Sequence, residues 1–170
     1  MTLRKIIYLP DARLRQVSKP VEHFDDALQT LIDDMFETMY HAKGVGLAAP
    51  QIGINLRLSV IDVTGDKKEQ LVLINPEIIA SEGEFEYEEG CLSVPGAYDK
   101  VIRAEKVTIR ATDRFGKVYE KNGEGVLGEC FQHEIDHLNG KLFVDLLSPL
   151  KRAIARRKLD KYKRQNLRKL

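Results

Sequence analysis

The segment QHEIDH at residues 132–137 places two histidines four residues apart, with a glutamate directly after the first. On an α-helix, residues i and i+4 share one face, so His133 and His137 can both direct an imidazole at one metal ion. Glu134 would lie beside that face, where it can take a proton from a metal-bound water without binding the metal itself. Two surface histidines and a glutamate give the same short pattern by chance, so neighbouring residues must decide.

A catalytic metal site of this kind needs a third protein ligand and an open position. Long metalloprotease motifs have their third histidine where this chain has Phe143, and a downstream glutamate ligand is also missing. Two cysteines remain as candidates. Cys130 precedes His133 by three residues on the same helix and would reach the ion only with strain. Cys91 can approach from another element, and Gly90 before it lets the backbone come close. The spacing favours Cys91 without excluding Cys130.

The composition is that of a soluble globular protein. Its 170 residues suit one domain, and 43% hydrophobic residues are enough to build a core, which excludes a disordered chain. No apolar run is long enough to span a membrane, and the N-terminal segment meets charge and proline too early for a signal peptide. We therefore expect a cytoplasmic protein, with no membrane partner, whose two cysteines stay reduced.

Charge is distributed unevenly along the chain. Residues 151–170 carry a net charge of +9 and the remainder carries −8. Ser148 and Pro149 are a typical helix start, so we expect a basic C-terminal helix over 151–170. Such a run could bind the phosphates of a nucleic acid, which would make the protein a binding module. Most charge runs are solvated helix faces, however, and Tyr162 alone provides no stacking platform.

The hydrophobic pattern predicts an α+β fold in one domain over residues 1–170. An amphipathic helix is predicted at 25–42, and a second helix at about 125–138 would carry the two histidines. Strands are predicted at 56–63, 70–76, 82–89, 106–113 and 117–125. The last two strands could pair across a turn at 113–116. We expect mostly antiparallel strands around a central metal-binding helix.

The segment GVGLAAPQ at 44–51 partly matches the glycine pattern of dinucleotide-binding loops. That pattern requires a strand before the glycines and a helix after them. Here a predicted helix precedes the segment and an apparent strand follows it. We therefore expect no nucleotide cofactor, and interpret the glycines as a tight turn or as a backbone edge beside a ligand.

Taken together, GVGLAAPQ (44–51), EGCLS (89–93) and QHEIDH (132–137) resemble the three signature segments of the bacterial peptide deformylases. They occur in that family's order and at compatible spacing. Three ordered motifs are far more specific than one pentapeptide. The resemblance continues through flanking segments and so covers most of the chain; those segments are 33–40, 71–77, 103–107 and 147–152.

The resemblance implies that Cys91, His133 and His137 bind one divalent metal ion, with Glu134 as general acid and base. The implied reaction removes the N-formyl group from the N-terminal methionine of new proteins, releasing formate after a metal-bound water attacks the formyl carbon. The resemblance implies Fe²⁺ in the cell, while the same ligands suit Zn²⁺, Ni²⁺ or Co²⁺ in purified samples. A zinc-dependent endopeptidase is the competing enzyme class.

The resemblance also implies residues that bind the substrate and stabilise charge. The Gln51 side chain and the Leu92 backbone N–H match the family's oxyanion donors. Gly46, with Val45 beside it, matches the backbone that lines the substrate channel. N-formyl-methionyl nascent peptides are the implied substrates, and a C-terminal helix at 151–170 is implied to dock on the ribosome. We expect the protein to be a monomer.

Two further matches and two departures concern the surroundings of the site. Glu89 and Arg103 match a supporting ion pair of the family. Glu129 stands where relatives carry an apolar residue near the pocket for the substrate side chain. The segment at 96–102 also differs from that of the well-known relatives. The side-chain preference beyond methionine is therefore open.

Overall fold

Three α-helices and seven strands follow one another along residues 2–168, the part of the chain that this computed structural model describes. The helices are α1 (Asp26–His41), α2 (Gly125–Leu138) and α3 (Pro149–Arg168). The strands are β1 (Gly46–Ala48), β2 (Leu58–Ile61), β3 (Leu71–Glu82), β4 (Phe85–Cys91), β5 (Val94–Arg103), β6 (Lys106–Thr112) and β7 (Val118–Glu124). Residues 1, 169 and 170 lie outside the described part, so the end of the predicted basic helix does too.

The strands form two antiparallel sheets, which confirms the α+β prediction. The larger sheet has the order β1-β2-β3-β6-β7, and β4 pairs with β5 in a separate hairpin. The predicted pairing of the last two strands is confirmed: β6 and β7 align from Thr112 opposite Val118 to Lys106 opposite Glu124. Gly116 closes their turn with a positive φ of 89°, a conformation that favours glycine.

Helix α1 packs the predicted apolar face against the larger sheet. It begins at an N-cap, Asp25, whose carboxylate accepts a hydrogen bond of 3.0 Å from the Leu28 N–H. The buried side of α1 packs on β1 and β2. Its residues are Leu28, Leu31, Ile32, Met35, Phe36 and Met39. After its last turn, Lys43 adopts a positive φ of 59° and the chain turns directly into β1.

Helix α2 is the central helix, as predicted, and contacts all five strands of the larger sheet, including the edge strand β1. Phe131, fully buried, and Ile135 pack against the inward side chains of β2, β3 and β6. Gly128 allows the close approach to β7, because a Cβ there would lie 2.8 Å from the Gly123 carbonyl oxygen. The helix ends before Gly140, whose φ of 76° suits a glycine C-terminal stop.

The β4–β5 hairpin brings a second element to the same place as α2. Along β4, Tyr87 and Glu89 are buried while Glu86 and Glu88 are exposed, so one face of the strand is solvated. The strand runs further than the predicted 82–89 and reaches Cys91, next to a register shift between Gly90 and Cys91. Strand β5 was not predicted.

Helix α3 lies on β5 and on the short 3-10 helix at Phe143–Leu146. Ala155 and Leu159 are buried there, whereas Ile154 is 41% exposed. The basic side chains of α3 are therefore left mainly on its outer face. Within residues 2–168, no helix combines the length and apolarity required to cross a membrane.

Candidate metal centre and substrate cleft

The structure brings Cys91 from β4 together with His133 and His137 from α2. One nitrogen or sulfur atom of each lies within 4.8 Å of the others. Cys91 Sγ is 3.2 Å from His137 Nε2, and the two imidazole rings have centroids 4.9 Å apart. Cys130 is not part of this group. Its side chain is 6% exposed and packs with the apolar residues beneath α2.

Glu134 lies beside these three residues and is 3% exposed. Its Oε1 atom and the Nδ1 atom of His137 are buried without a hydrogen-bond partner in residues 2–168. Buried polar atoms almost always have partners, so two orphaned atoms bordering one set of ligand atoms indicate a site built to receive another group. A thiolate and two imidazoles are a donor set that suits a transition metal ion, so the residues fit the ion that the sequence implies.

Glu89 fixes the orientation of His133. The carboxylate accepts a hydrogen bond of 2.9 Å from His133 Nδ1, which leaves Nε2 for the ligand group. Arg103 binds Glu89 with two hydrogen bonds, one of them 2.8 Å long, and donates a further one of 2.8 Å to Asp136. Glu89 and Arg103 are 2% and 7% exposed, so this is a buried ion pair. The sequence predicted the pair but missed Asp136, although its place inside QHEIDH was a signal.

Burial and charge set the protonation states around the ligands. Burial raises the pKa of Glu134 to about 7, which suits a group that must accept and return protons. Burial holds the pKa of His137 well below 6.5 and thus favours the neutral imidazole that binds metals. Burial alone would raise the pKa of Glu89, but the Arg103 guanidinium outweighs it and keeps the pKa low.

Gln51 is held with its amide nitrogen toward Cys91. Its Oε1 accepts a hydrogen bond of 2.9 Å from the Ala48 N–H, and its Nε2 lies 3.2 Å from Ser93 Oγ and 3.5 Å from Cys91 Sγ. The side chain is 2% exposed. Leu92 follows Cys91 directly, so the backbone N–H of Leu92 is next to the ligand group. Gln51 and Leu92 therefore both lie next to the ligand group, and the contact between Gln51 and Ser93 was not predicted from the sequence.

Strand β1 forms the edge of the larger sheet beside this group. The Val45 carbonyl accepts a hydrogen bond of 2.9 Å from the Asp62 N–H, so it faces β2. Because strand residues alternate, the backbone groups of Gly46 face the open side. A Cβ at Gly46 would overlap the Glu134 carboxylate, which explains the glycine. Val45 is 42% exposed. The glycine segment is therefore a backbone edge, the second of the two interpretations.

A cleft of about 560 Å³ joins these parts. It is lined by Gly46, Gln51, Cys91, His133 and Glu134, and by further residues beyond this group. Glu129 also lines the cleft; it is half-buried, and burial raises its pKa to about 7. Gly96 and Tyr98 also line the cleft. Both departures from the expected pattern, at Glu129 and at 96–102, therefore face the same space as the ligand group.

A Cys-His-His group with a buried glutamate beside it, between a sheet edge and a hairpin of an α+β domain, is the kind of site that metal-dependent hydrolases have. The model of the Polypeptide deformylase family matches residues 3–153. The peptide deformylase of Chromobacterium violaceum is 55% identical over 98% of this chain and 100% of its own length.

Solved structures of peptide deformylases are also similar to this chain. A peptide deformylase from Legionella pneumophila is 72% identical with a TM-score of 0.97, covering 98% of this chain and 99% of its own. The Synechococcus elongatus enzyme, solved with actinonin, is 44% identical with a TM-score of 0.88, covering 94% and 88%. The chain belongs to the polypeptide deformylase family. It is therefore an enzyme of a metalloenzyme family that removes the N-formyl group from nascent peptides.

Proposed function

We propose that Cys91, His133 and His137 hold one divalent metal ion, Fe²⁺ in the cell, and that Glu134 is the general acid and base of deformylation. The observation that carries this proposal is the meeting of a thiol and two imidazoles beside a buried carboxylate whose Oε1 has no partner in residues 2–168. The same donors suit Zn²⁺, Ni²⁺ or Co²⁺, which a purified sample can carry instead. The protein acts as a cytoplasmic monomer on the N-terminal methionine of nascent proteins.

The ion, when bound, lowers the pKa of water and polarises a carbonyl oxygen. The chain supplies the geometry for this chemistry. Glu89 keeps the proton of His133 on Nδ1 and so leaves the Nε2 lone pair free. Burial keeps His137 neutral, which also leaves a lone pair for binding.

The substrate binds as a short added strand on the open edge of β1. The N–H and carbonyl of Gly46 pair with the peptide backbone, and Val45 contributes side-chain contact at the rim. Pairing through the backbone holds the formyl-methionyl end without demanding a particular sequence beyond it. That tolerance is required of an enzyme that processes many different nascent proteins.

Catalysis then needs two proton transfers and one stabilised charge. Glu134 accepts a proton from water as the water oxygen adds to the formyl carbon. Negative charge develops on the formyl oxygen, where Gln51 Nε2 and the Leu92 N–H donate hydrogen bonds. Glu134 returns the proton to the amine nitrogen as the C–N bond breaks, and formate and a free N-terminus leave.

Replacement of Glu134 by alanine tests this assignment. We expect Glu134→Ala to keep stoichiometric metal and to lose formate release by roughly 10²–10⁴-fold, because a base is lost and no ligand is. Metal content is measured under anaerobic conditions, and formate release is measured on a formyl-methionyl peptide. Glu120→Ala, at an exposed site on β7, is the control. Near-normal turnover in the Glu134 variant would show that another group acts as base.

An assay of cleavage position separates deformylase from endopeptidase chemistry. The enzyme should release formate from a formyl-methionyl peptide and leave the internal bonds of casein intact. Internal cleavage would favour the endopeptidase class. Peptide binding without any turnover would favour a pure binding protein.

The basic helix α3 supports a second proposal, docking on ribosomal RNA. Ala155 and Leu159 face the body, so the cationic side chains on the outer face are free to contact phosphates. Because α3 completes the core, charge substitution tests docking better than truncation. We expect Arg157→Gln, Lys161→Gln and Arg164→Gln together to abolish salt-sensitive cosedimentation with ribosomes. Unchanged cosedimentation at low salt would leave α3 as a solvated structural helix.

A further inference from the structure

The substrate cleft does not end at the residues assigned to catalysis. Its lining also includes a wall built from the N-terminal segment, from β5 and from α3. The residues of this wall are Ile6, Tyr8, Gly96 and Tyr162. The family model ends at residue 153, so Tyr162 lies outside the matched region.

The N-terminal segment is fixed beside the oxyanion donors. The Ile7 N–H donates a hydrogen bond of 2.8 Å to the Gln51 carbonyl, and the Leu9 N–H donates one of 3.1 Å to the Ser93 carbonyl. Ile7 is 8% exposed and points into the core beneath α3. Tyr8, the next residue, is half-buried and lines the cleft. The wall is therefore held by backbone hydrogen bonds to the same two segments that carry Gln51 and Cys91.

Helix α3 is fixed against this segment at the level of Tyr162. Lys163 Nζ lies 2.5 Å from the Leu9 carbonyl oxygen, and the buried Leu159 anchors the preceding turn. Gly96 lies directly beneath the helix, since a Cβ there would be 3.7 Å from Tyr162 Cβ. The rings of Tyr8 and Tyr162 meet edge to face, with centroids 6.2 Å apart and an interplanar angle of 84°.

We propose that Tyr162, together with Tyr8, contacts substrate residues downstream of the formyl-methionine and so makes α3 part of the substrate site. This inference rests on the proposed function. A cleft of about 560 Å³ falls within the range of roughly 300–1,000 Å³ of typical ligand sites, so it has room for more than a blocked methionine. Half-buried aromatic rings offer apolar contact area to almost any side chain, which suits substrates of variable sequence.

The proposal predicts a dependence on peptide length. On this proposal, a formyl dipeptide stops short of the wall and a formyl pentapeptide contacts it. Tyr162→Ala should lower kcat/KM on the pentapeptide by about three- to tenfold, mainly through KM, and leave the dipeptide within about twofold. Tyr162→Phe keeps the ring and should behave like the wild type. Leu167→Ala, at a 70% exposed position further along α3, is the control.

A charge substitution separates contact from a loosened helix. Tyr162→Glu should favour pentapeptides with lysine at the third or fourth residue over those with glutamate, and Tyr162→Lys should reverse that preference. A helix that merely undocks would change both peptides equally. The proposal would be overturned if Tyr162→Glu and Tyr162→Lys had the same ratio of kcat/KM on lysine and glutamate pentapeptides. It would also be overturned if Tyr162→Ala lost as much activity on the dipeptide as on the pentapeptide. If the wild type released no formate even from the dipeptide, the proposed function itself would fail.

Discussion

At the scale of the residue, the two cysteines differ because their neighbours differ. Cys91 is half-buried at the end of β4, with polar partners at Gln51 Nε2 and His137 Nε2. Cys130 is enclosed by apolar side chains, and burial raises the pKa of its thiol. A thiol that stays protonated is a poor ligand, because metals bind the thiolate. The environment of Cys130 therefore disfavours it as the third metal ligand, the alternative that the sequence left open.

Serine substitution compares the two cysteines. We expect Cys91→Ser to lose at least ten times more bound metal during dialysis than Cys130→Ser, because a hydroxyl replaces a thiolate ligand only poorly. Metal content and the melting temperature with and without added Zn²⁺ are the two measurements, since binding to the folded state raises that temperature. Loss of the ion from the Cys130 variant alone would show that the third ligand is wrongly assigned.

Gly46 is a second residue whose identity is dictated by its neighbour. An alanine Cβ at this position would overlap the Glu134 carboxylate. We expect Gly46→Ala to lower kcat about 10²-fold, because a shift of roughly 1 Å at a reacting group has that effect. Gly44→Ala should cost much less, since its Cβ would come close only to the flexible Leu92 side chain and would lie at an ordinary contact distance of 3.6 Å from the Gly46 carbonyl oxygen. Equal losses in the two variants would mean that the glycines matter for backbone freedom instead.

At the scale of the element, Arg103 joins the β4–β5 hairpin to α2. It binds Glu89 on β4 and Asp136 on α2 while being 7% exposed itself. Because Glu89 also orients His133, the guanidinium stabilises the fold and the ligand geometry together. The ion pair is therefore expected to matter more than exposed pairs on the same molecule.

Arginine removal at two sites measures this difference. Arg103→Ala should lower the free energy of unfolding by about 3–5 kcal/mol, because it leaves the buried Glu89 charge uncompensated. Arg110→Ala removes an arginine that bridges Glu77 and Glu120 on the sheet surface, and should lower the free energy of unfolding far less, because solvent screens exposed ion pairs. Urea denaturation of both variants gives the values. Similar losses of unfolding free energy in the two variants would mean that the Glu89 carboxylate moves into solvent once Arg103 is removed.

The helices could be predicted closely from the sequence and the strands only in part. α1, α2 and the start of α3 are defined locally, by an apolar period of 3.6 and by capping residues such as Asp25 and Gly140. Strand β5 carries Pro95 and Gly96, which lower its strand propensity, and it forms because β4 supplies partners along its length. Strand β1 is three residues long, too short for any pattern.

At the scale of the whole molecule, the site depends on contacts between residues distant in sequence. The spacing of His133 and His137 could be read locally because both lie on one helix. Cys91, Gln51 and Gly46 come from other elements, and their positions followed from a family resemblance rather than from periodicity. Tyr162 was set aside as an isolated aromatic. Its place in the cleft depends on how α3 packs on β5, which no local pattern encodes.

Acid stability of the whole fold should depend strongly on Asp62, which is fully buried after β2. Its carboxylate accepts hydrogen bonds from the Tyr40 hydroxyl on α1, from Thr64, and from the backbone N–H groups of Gly65 and Lys67. Burial alone would raise the pKa of Asp62, but these hydrogen bonds outweigh it and bring the pKa to about 2.

Asp62→Asn tests this contribution to stability. The folded-state pKa of about 2 lies below the ordinary value of 3.8, so the contribution is present above pH 4 and is lost as the pH falls toward 2. We expect the variant to be about 2 kcal/mol less stable at pH 7, and the gap to the wild type to narrow between pH 4 and 2. Asp66→Asn, on an exposed residue of the same loop, should change stability much less. Urea titrations at each pH give the comparison. Parallel curves for the wild type and Asp62→Asn would show that the charge of Asp62 does not contribute to the stability of the fold.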